Sequence, residues 1–239
     1  MKVVGRVVGL FVYPVKSLQG IAVESSAIGE RGLVGDRSRA LRDVATGVVL
    51  TGRRDPSLLM AAAVRTVTGA IAVRLPDGSI TTNDAHLSTW LGRPIELIDA
   101  IDRASTYEIN LDFEDDDSEV ERWQGPVGSF HDSTRTQVSI IATGDIRDWD
   151  VRRFRPNVVV EADSIDRLVG QRIRLGTAQL DIVKPIDRCV MVTRPQPGGI
   201  ERDLDVLRTI NAERDSLLGI AGLVGAAGSV AIGDELIVD

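Results

Sequence analysis

The stretch Lys184-Pro185-Ile186-Asp187-Arg188-Cys189 carries the single cysteine of a 239-residue chain. A lone thiol cannot form an internal disulfide, so it is a packed apolar residue, a free nucleophile or a metal ligand. Arg188 beside it favours the thiolate, the form that binds metals and attacks electrophiles, while Asp187 works against it. The other residues able to do chemistry lie on turns and strand ends. Lys16-Ser17 offers an ammonium, a hydroxyl and backbone N–H groups to an anion. Gly32-Leu33-Val34-Gly35-Asp36-Arg37 is punctuated by glycine and delivers a forked guanidinium suited to phosphate. Thr51-Gly52-Arg53-Arg54 is a second basic turn, and Phe154-Arg155-Pro156-Asn157 holds an arginine and an asparagine at the entrance to an apolar run. His131-Asp132 could transfer protons. With His86 and His131 the only histidines, a multi-histidine metal site is excluded. A thiol together with cations on separate turns suits a ligand that is anionic at one end and thiophilic at the other.

The elements that must position these groups are mostly strands. Aromatic residues make up 4% of the chain and glycine occurs 23 times, so the core is Val, Ile, Leu and Ala in short runs, which points to a strand-dominated fold. Strands are predicted at 3–15, 21–28, 37–42, 58–67, 70–75, 95–98, 137–142, from 158, at 173–175 and 178–183, at 189–192 and over 229–238. The pattern at 3–15 is apolar enough for burial on both faces. Asn83 or Asp84 caps a short helix ended by Gly92. Thr143 caps another predicted over 144–151, and Leu204, Leu207 and Ile210 recur at helical spacing within 201–214. Residues 217–228 show neither period. The acidic run Glu114-Asp115-Asp116-Asp117 reads as a solvated loop. A formal charge of −7 argues against a nucleic-acid or anionic-membrane binder. No apolar run reaches the ~18 residues of a membrane span, and the amino terminus has no small-residue cleavage pattern, so a cytoplasmic protein is expected.

Five segments, Tyr13-Pro14-Val15-Lys16-Ser17, Gly32-Leu33-Val34-Gly35-Asp36-Arg37, Phe154-Arg155-Pro156-Asn157, Arg188-Cys189 and Gly233-Asp234, occur in the order seen in MOSC proteins. That family is named for the carboxy-terminal part of molybdenum cofactor sulfurase. Almost the whole chain resembles it, most of all its amidoxime-reducing members, mitochondrial and bacterial. The resemblance implies an α+β, β-rich fold: a MOSC-type β-barrel with short helices at 129–239, an N-terminal β-barrel-like subdomain at 1–101 and a connector at 102–128. It implies a molybdenum cofactor of the molybdopterin type, with Cys189 as metal ligand. Lys16, Ser17 and Arg37 would hold the pterin phosphate, and Arg155, Asn157, Asp187 and Arg188 would contact the cofactor. Thr134 and Thr136, with Asp132 and Ser133, would line the pocket in a register left open, and His131 and Asp132 would serve proton transfer beside Cys189.

The implied activity is reduction of N-hydroxylated compounds. One cysteine leaves none for an iron–sulfur cluster, so electrons would come from an external protein. The segment Leu218-Gly219-Ile220-Ala221-Gly222-Leu223 departs from the family, where a polar residue is common, which puts one cofactor contact in doubt. Two other readings remain: a cofactor or sulfur carrier using Cys189, and a β-rich binding protein without the cofactor.

Overall fold

The computed structural model describes residues 1–100, 104–110 and 119–238; the acidic run Glu114-Asp115-Asp116-Asp117 lies outside them. Seven strands close into a barrel: β1 (Lys2–Val12), β2 (Val138–Ala142), β3 (Val158–Glu161), β4 (Arg172–Leu175), β5 (Ala178–Asp187), β6 (Leu217–Ala226) and β7 (Glu235–Val238). Going round, the order is β1, β3, β2, β6, β5, β4, β7 and back to β1. All neighbours are antiparallel except β2 and β3, which need a crossover, residues 143–157. Closure removes the unpaired edges that an open sheet would expose. The interior is filled by branched aliphatic side chains, among them Val7, Leu10, Ile140, Val158, Ile173, Leu180, Ile220 and Leu236. Gly5 is required where β1 crosses β3, because a Cβ there would lie 2.4 Å from the Glu161 carbonyl oxygen.

The first strand of the chain is thus a stave of the barrel whose other six come from residues 138–238. Between them, residues 15–97 build a second apolar cluster around Val15, Leu18, Leu41, Leu58, Val73, Leu87 and Ile95. Around it stand the pair Arg39–Asp43 with Ile95–Asp99, the meander Ala62–Arg65, Ile71–Arg74, Ile80–Thr81, and the helix Asp84–Leu91. That helix begins where expected: Asn83 Oδ1 accepts the Ala85 N–H at 2.7 Å, and Gly92 ends it with φ +68°. The helix Leu204–Arg214 lays Val206 and Ile210 against Phe154, Val192 and Leu218 on the outside of the barrel. A hairpin, Thr106–Asn110 with Val120–Gln124, adds Tyr107 to a cluster with Phe130 and Val49.

Several expectations are corrected. Residues 58–67 are not one strand: Pro56–Met60 is a 3-10 turn, as a proline at its start favours, and the strand is Ala62–Arg65. The helix expected over 144–151 is only Thr143–Ile146, with Ala142 at its N-cap and Arg147 in the left-handed region (φ +60°) stopping it. Residues 189–192 are not a strand: β5 ends at Asp187 and Val190–Thr193 is a 3-10 turn. Short apolar runs do not distinguish the two. Residues 3–15 are not buried on both faces throughout, since Val3 and Val8 are exposed. Conversely, β6 is a strand without alternation because both of its faces are covered from Leu218 to Gly222.

Candidate functional site

The turn after β1, the segment entering β3 and the segment leaving β5 open onto one cavity of about 340 Å³. Its wall includes Lys16, Ser17, Arg37, Arg53, Arg155, Arg188 and Cys189. His131, Asp132, Ser133, Thr136, Asn157 and Asp187 line it too, while Thr134 is exposed and stands outside. Of the residues expected to form a site, the fold therefore brings all but Thr134 together.

The cations are held in distinct ways. Lys16 Nζ donates to the Phe130 carbonyl oxygen at 2.9 Å and to Asp132 Oδ1 at 2.7 Å, with the Tyr107 ring 4.4 Å away. Arg37 pairs with Asp36, whose other oxygen accepts the Tyr13 N–H at 2.7 Å. Arg37 and Arg155 both stand over the Tyr13 ring, at 5.1 and 4.5 Å. Arg188 donates to the carbonyl oxygens of Leu218 and Phe154, each at 2.8 Å. Gly219 makes room for it, since a Cβ there would sit 3.1 Å from Arg188 Nη2 and 2.7 Å from the Ile140 oxygen. Ser17, Arg37 and Arg155 all adopt left-handed backbone conformations, with φ of +66°, +47° and +51°. Each costs on the order of 1–2 kcal/mol in a non-glycine residue, and such strain concentrates at functional sites.

What is left unpaired matters most. Arg155 Nη1, Arg188 Nη2, His131 Nε2 and Thr51 Oγ1 are buried without a hydrogen-bond partner, and all belong to residues lining the cavity. Buried polar atoms are nearly always partnered, so orphaned arginine donors on residues that line a cavity suit an acceptor-rich, anionic partner. The Ser17 hydroxyl accepts the Gly52 N–H at 2.9 Å and keeps its own proton to donate. Asn157, by contrast, is engaged within the protein, accepting from Ser139 and donating to the Phe11 carbonyl at 3.3 Å. In this structure it ties β1, β2 and β3 together.

Burial pushes Arg155 and Arg188 down to about 10, against the opposing influence of Tyr13 on the first and Cys189 on the second. Burial alone would lower Arg53 as well, but Cys189 and Asp132 raise it. The Tyr13 phenol is pushed up to about 12 by burial, although Arg155 and Arg37 pull the other way. Enclosure raises the Asp132 carboxyl, yet Lys16 and Arg53 overcome this and hold it well below the usual carboxylate range. Asp132 is therefore ionised at neutral pH, and its half-exposed side chain is an acceptor. Burial, assisted by Arg37, brings His131 down to about 4; the imidazole is neutral at neutral pH.

His131 makes stability pH-dependent in a definite sense. Between its ordinary value of 6.5 and about 4, the unfolded chain binds a proton that the folded chain refuses. Stability accordingly falls as pH drops through this window, by up to about 3 kcal/mol. Asp132 acts lower down, its contribution being lost only as pH falls below the ordinary carboxylate value. Thermal melts of wild type and His131→Gln between pH 7 and 4 should diverge, with wild type losing more. Parallel curves would contradict a buried neutral imidazole.

Sequence reasoning missed Tyr13, Asp36, Thr51, Trp123 and Met191. The first two lie inside the motifs that carry Lys16 and Arg37, whose charges dominate the local pattern; nothing local marks Trp123, which arrives on the hairpin.

The chain, with its closed barrel and a cationic cavity that holds one thiol, belongs to the MOSC-domain family. Residues 4–124 match the MOSC N-terminal beta barrel domain and residues 119–237 the MOSC domain. Among curated proteins the chain is similar to mitochondrial amidoxime reducing component 2 of Bos taurus, at 25% identity over 287 residues, covering 98% of this chain and 83% of that protein. Among solved structures it is similar to the YUAD protein from Bacillus subtilis (14% identity, TM-score 0.44, 97% and 93% of the two chains). YiiM from Geobacillus stearothermophilus also matches (14% identity, TM-score 0.37, 51% and 67%). No helix among the described residues is long and apolar enough to cross a membrane.

Proposed function

We propose that this protein is a molybdenum-cofactor-dependent oxidoreductase that reduces N-hydroxylated compounds with electrons from an external donor protein. The observation that supports it is the meeting, in one cavity, of unpaired buried arginine N–H groups with the chain's single thiol. The donor set fits a molybdopterin-type group: forked cations for a dianionic phosphate, and a soft sulfur for molybdenum. Among the described residues no group of three or more His, Cys, Asp or Glu side chains is placed to hold a metal, so a metal at Cys189 would arrive with most of its own ligands. On this reading Arg155, Arg188, Arg37, Lys16 and Ser17 bind the anionic end, and Asn157 and Thr136 shape the wall. Lys16, Ser17, Arg37, Thr51 and Arg53 would contribute one part of the wall, Trp123 another, and residues from His131 to Val192 the rest.

When bound, the group would supply the two-electron chemistry by which an N–OH becomes N–H and water. The protein's part is to hold the substrate beside Cys189 and to order water; with Asp132 ionised and His131 neutral at neutral pH, neither is the proton donor that the sequence suggested. Asp132, kept ionised by Lys16 and Arg53, orients water at the mouth as a hydrogen-bond acceptor. His131 is neutral and offers its ring to a ligand rather than a charge. Electrons would enter from outside, because the chain offers no cysteines for a cluster.

Protein expressed with molybdate should carry one molybdenum per chain and should turn over benzamidoxime under reduced viologen, but not with NADH alone. A flavin- or haem-containing reductase should restore the NADH-driven reaction. Loaded protein that is inert under viologen, yet hands its cofactor to an apo-enzyme, would replace this reading with that of a carrier.

A further inference from the structure

The cavity that holds Cys189 is not cationic throughout. Trp123, Ile186 and Met191 add apolar surface to the cationic lining that Arg53 continues. Trp123 comes from the hairpin Thr106–Asn110 with Val120–Gln124, where it pairs directly with Tyr107. The Tyr107 ring supports it from behind, 5.2 Å between centroids, and is itself fully buried. Glu108 fastens the hairpin by accepting from both Arg54 and Arg122. Arg53 lies 5.9 Å from the indole centroid and interacts with the Cys189 side chain and with Asp132. That separation exceeds contact stacking, and Trp123 keeps part of its surface open. Two planar groups thus line the cavity, Arg53 at the thiol and Trp123 beyond it, neither fully covered.

We propose that Trp123 and Arg53 form the substrate wall of this cavity and select flat, conjugated N-hydroxylated molecules over saturated ones of the same size. The inference rests on the reductase reading given above. An indole face and a guanidinium plane both attract a π system, through dispersion and through the ring quadrupole. A saturated ring presents C–H bonds in a puckered outline and gains only contact area. Sulfur at Met191 adds a polarisable floor that favours aromatic edges.

The test titrates benzamidoxime and cyclohexanecarboxamidoxime calorimetrically into molybdenum-loaded wild type, Trp123→Phe, Trp123→Leu and Arg53→Lys, with metal content and melting temperature measured in parallel. Wild type should bind the aromatic compound about tenfold more tightly. Trp123→Phe should keep most of that preference and Trp123→Leu should bring the ratio close to one. Arg53→Lys keeps the positive charge beside Cys189 and Asp132 and keeps the Tyr107–Trp123 pair while removing the guanidinium plane, so it should lower the preference by about threefold even if Trp123→Leu does not fold. Equal binding of the two compounds by wild type, binding of neither, or a preference intact in both Trp123→Leu and Arg53→Lys would overturn the wall. Equal binding with turnover intact would leave the reductase reading standing. A strong preference without reduction of either compound would remove that reading and leave the wall.

Discussion

Replacing Cys189 by serine is expected to leave the chain folded and to strip it of molybdenum. The residue is half-buried at the N-cap of the turn Val190–Thr193, in extended backbone that makes no side-chain capping bond. Exchanging sulfur for oxygen there breaks no protein contact that the fold depends on, and a serine hydroxyl is itself a good cap. The chemistry is less forgiving. A hydroxyl stays protonated where a thiol ionises, and it is a hard donor where molybdenum calls for a soft one. On the reading proposed for Cys189, its loss should exceed the roughly 10–100-fold in affinity or activity that changes to supporting residues cause. Metal content, the electronic spectrum and turnover should fall together while the melt of cofactor-free protein stays put. A variant with wild-type molybdenum content and an unchanged spectrum would rule out thiolate ligation.

The second large effect separates two arginines that look equivalent in sequence. Arg155 has a buried N–H with no partner, so Arg155→Ala removes an unsatisfied group as well as the packing on Tyr13. These oppose each other, and the stability of cofactor-free protein should change by less than about 1 kcal/mol. Affinity for the anionic ligand should fall by roughly 1.5–3 kcal/mol, or one to two decades. Arg37 is different because it neutralises Asp36, whose side chain is 0% exposed. Arg37→Ala leaves that carboxylate buried and uncompensated, which costs about 3–5 kcal/mol of stability in addition to the lost ligand contact. Denaturant melts of the two cofactor-free variants, with pyrophosphate titrations as the binding probe, should show Arg155→Ala stable but weak-binding and Arg37→Ala impaired in both. Equal destabilisation by both, or unchanged pyrophosphate affinity in Arg155→Ala, would refute the division of roles.

The sequence by itself determined what depends on near neighbours. The helix Asp84–Leu91 was legible from Asn83 and Gly92 because both caps act within a few residues of the ends they finish. The pairing strands β4 and β5 were legible from two apolar runs, 173–175 and 178–183, set only two residues apart. The cations Lys16, Arg37, Arg155 and Arg188 stood out because their turns are local chemistry, and their ordered motifs carried the family. Only the tertiary structure decided how they are used. Lys16 meets Asp132 across 116 positions and Asn157 meets Phe11 across 146, and no local pattern encodes such pairs. The same limit hid β6, whose two covered faces erase the alternation that marks a strand. It also hid Trp123, which reaches the cavity only because Tyr107 and the hairpin carry it there. Turn and cap preferences are set by the chain's own dihedrals and nearest hydrogen bonds. Burial, orphaned donors and shifted pKa values are set by whatever long-range packing brings alongside.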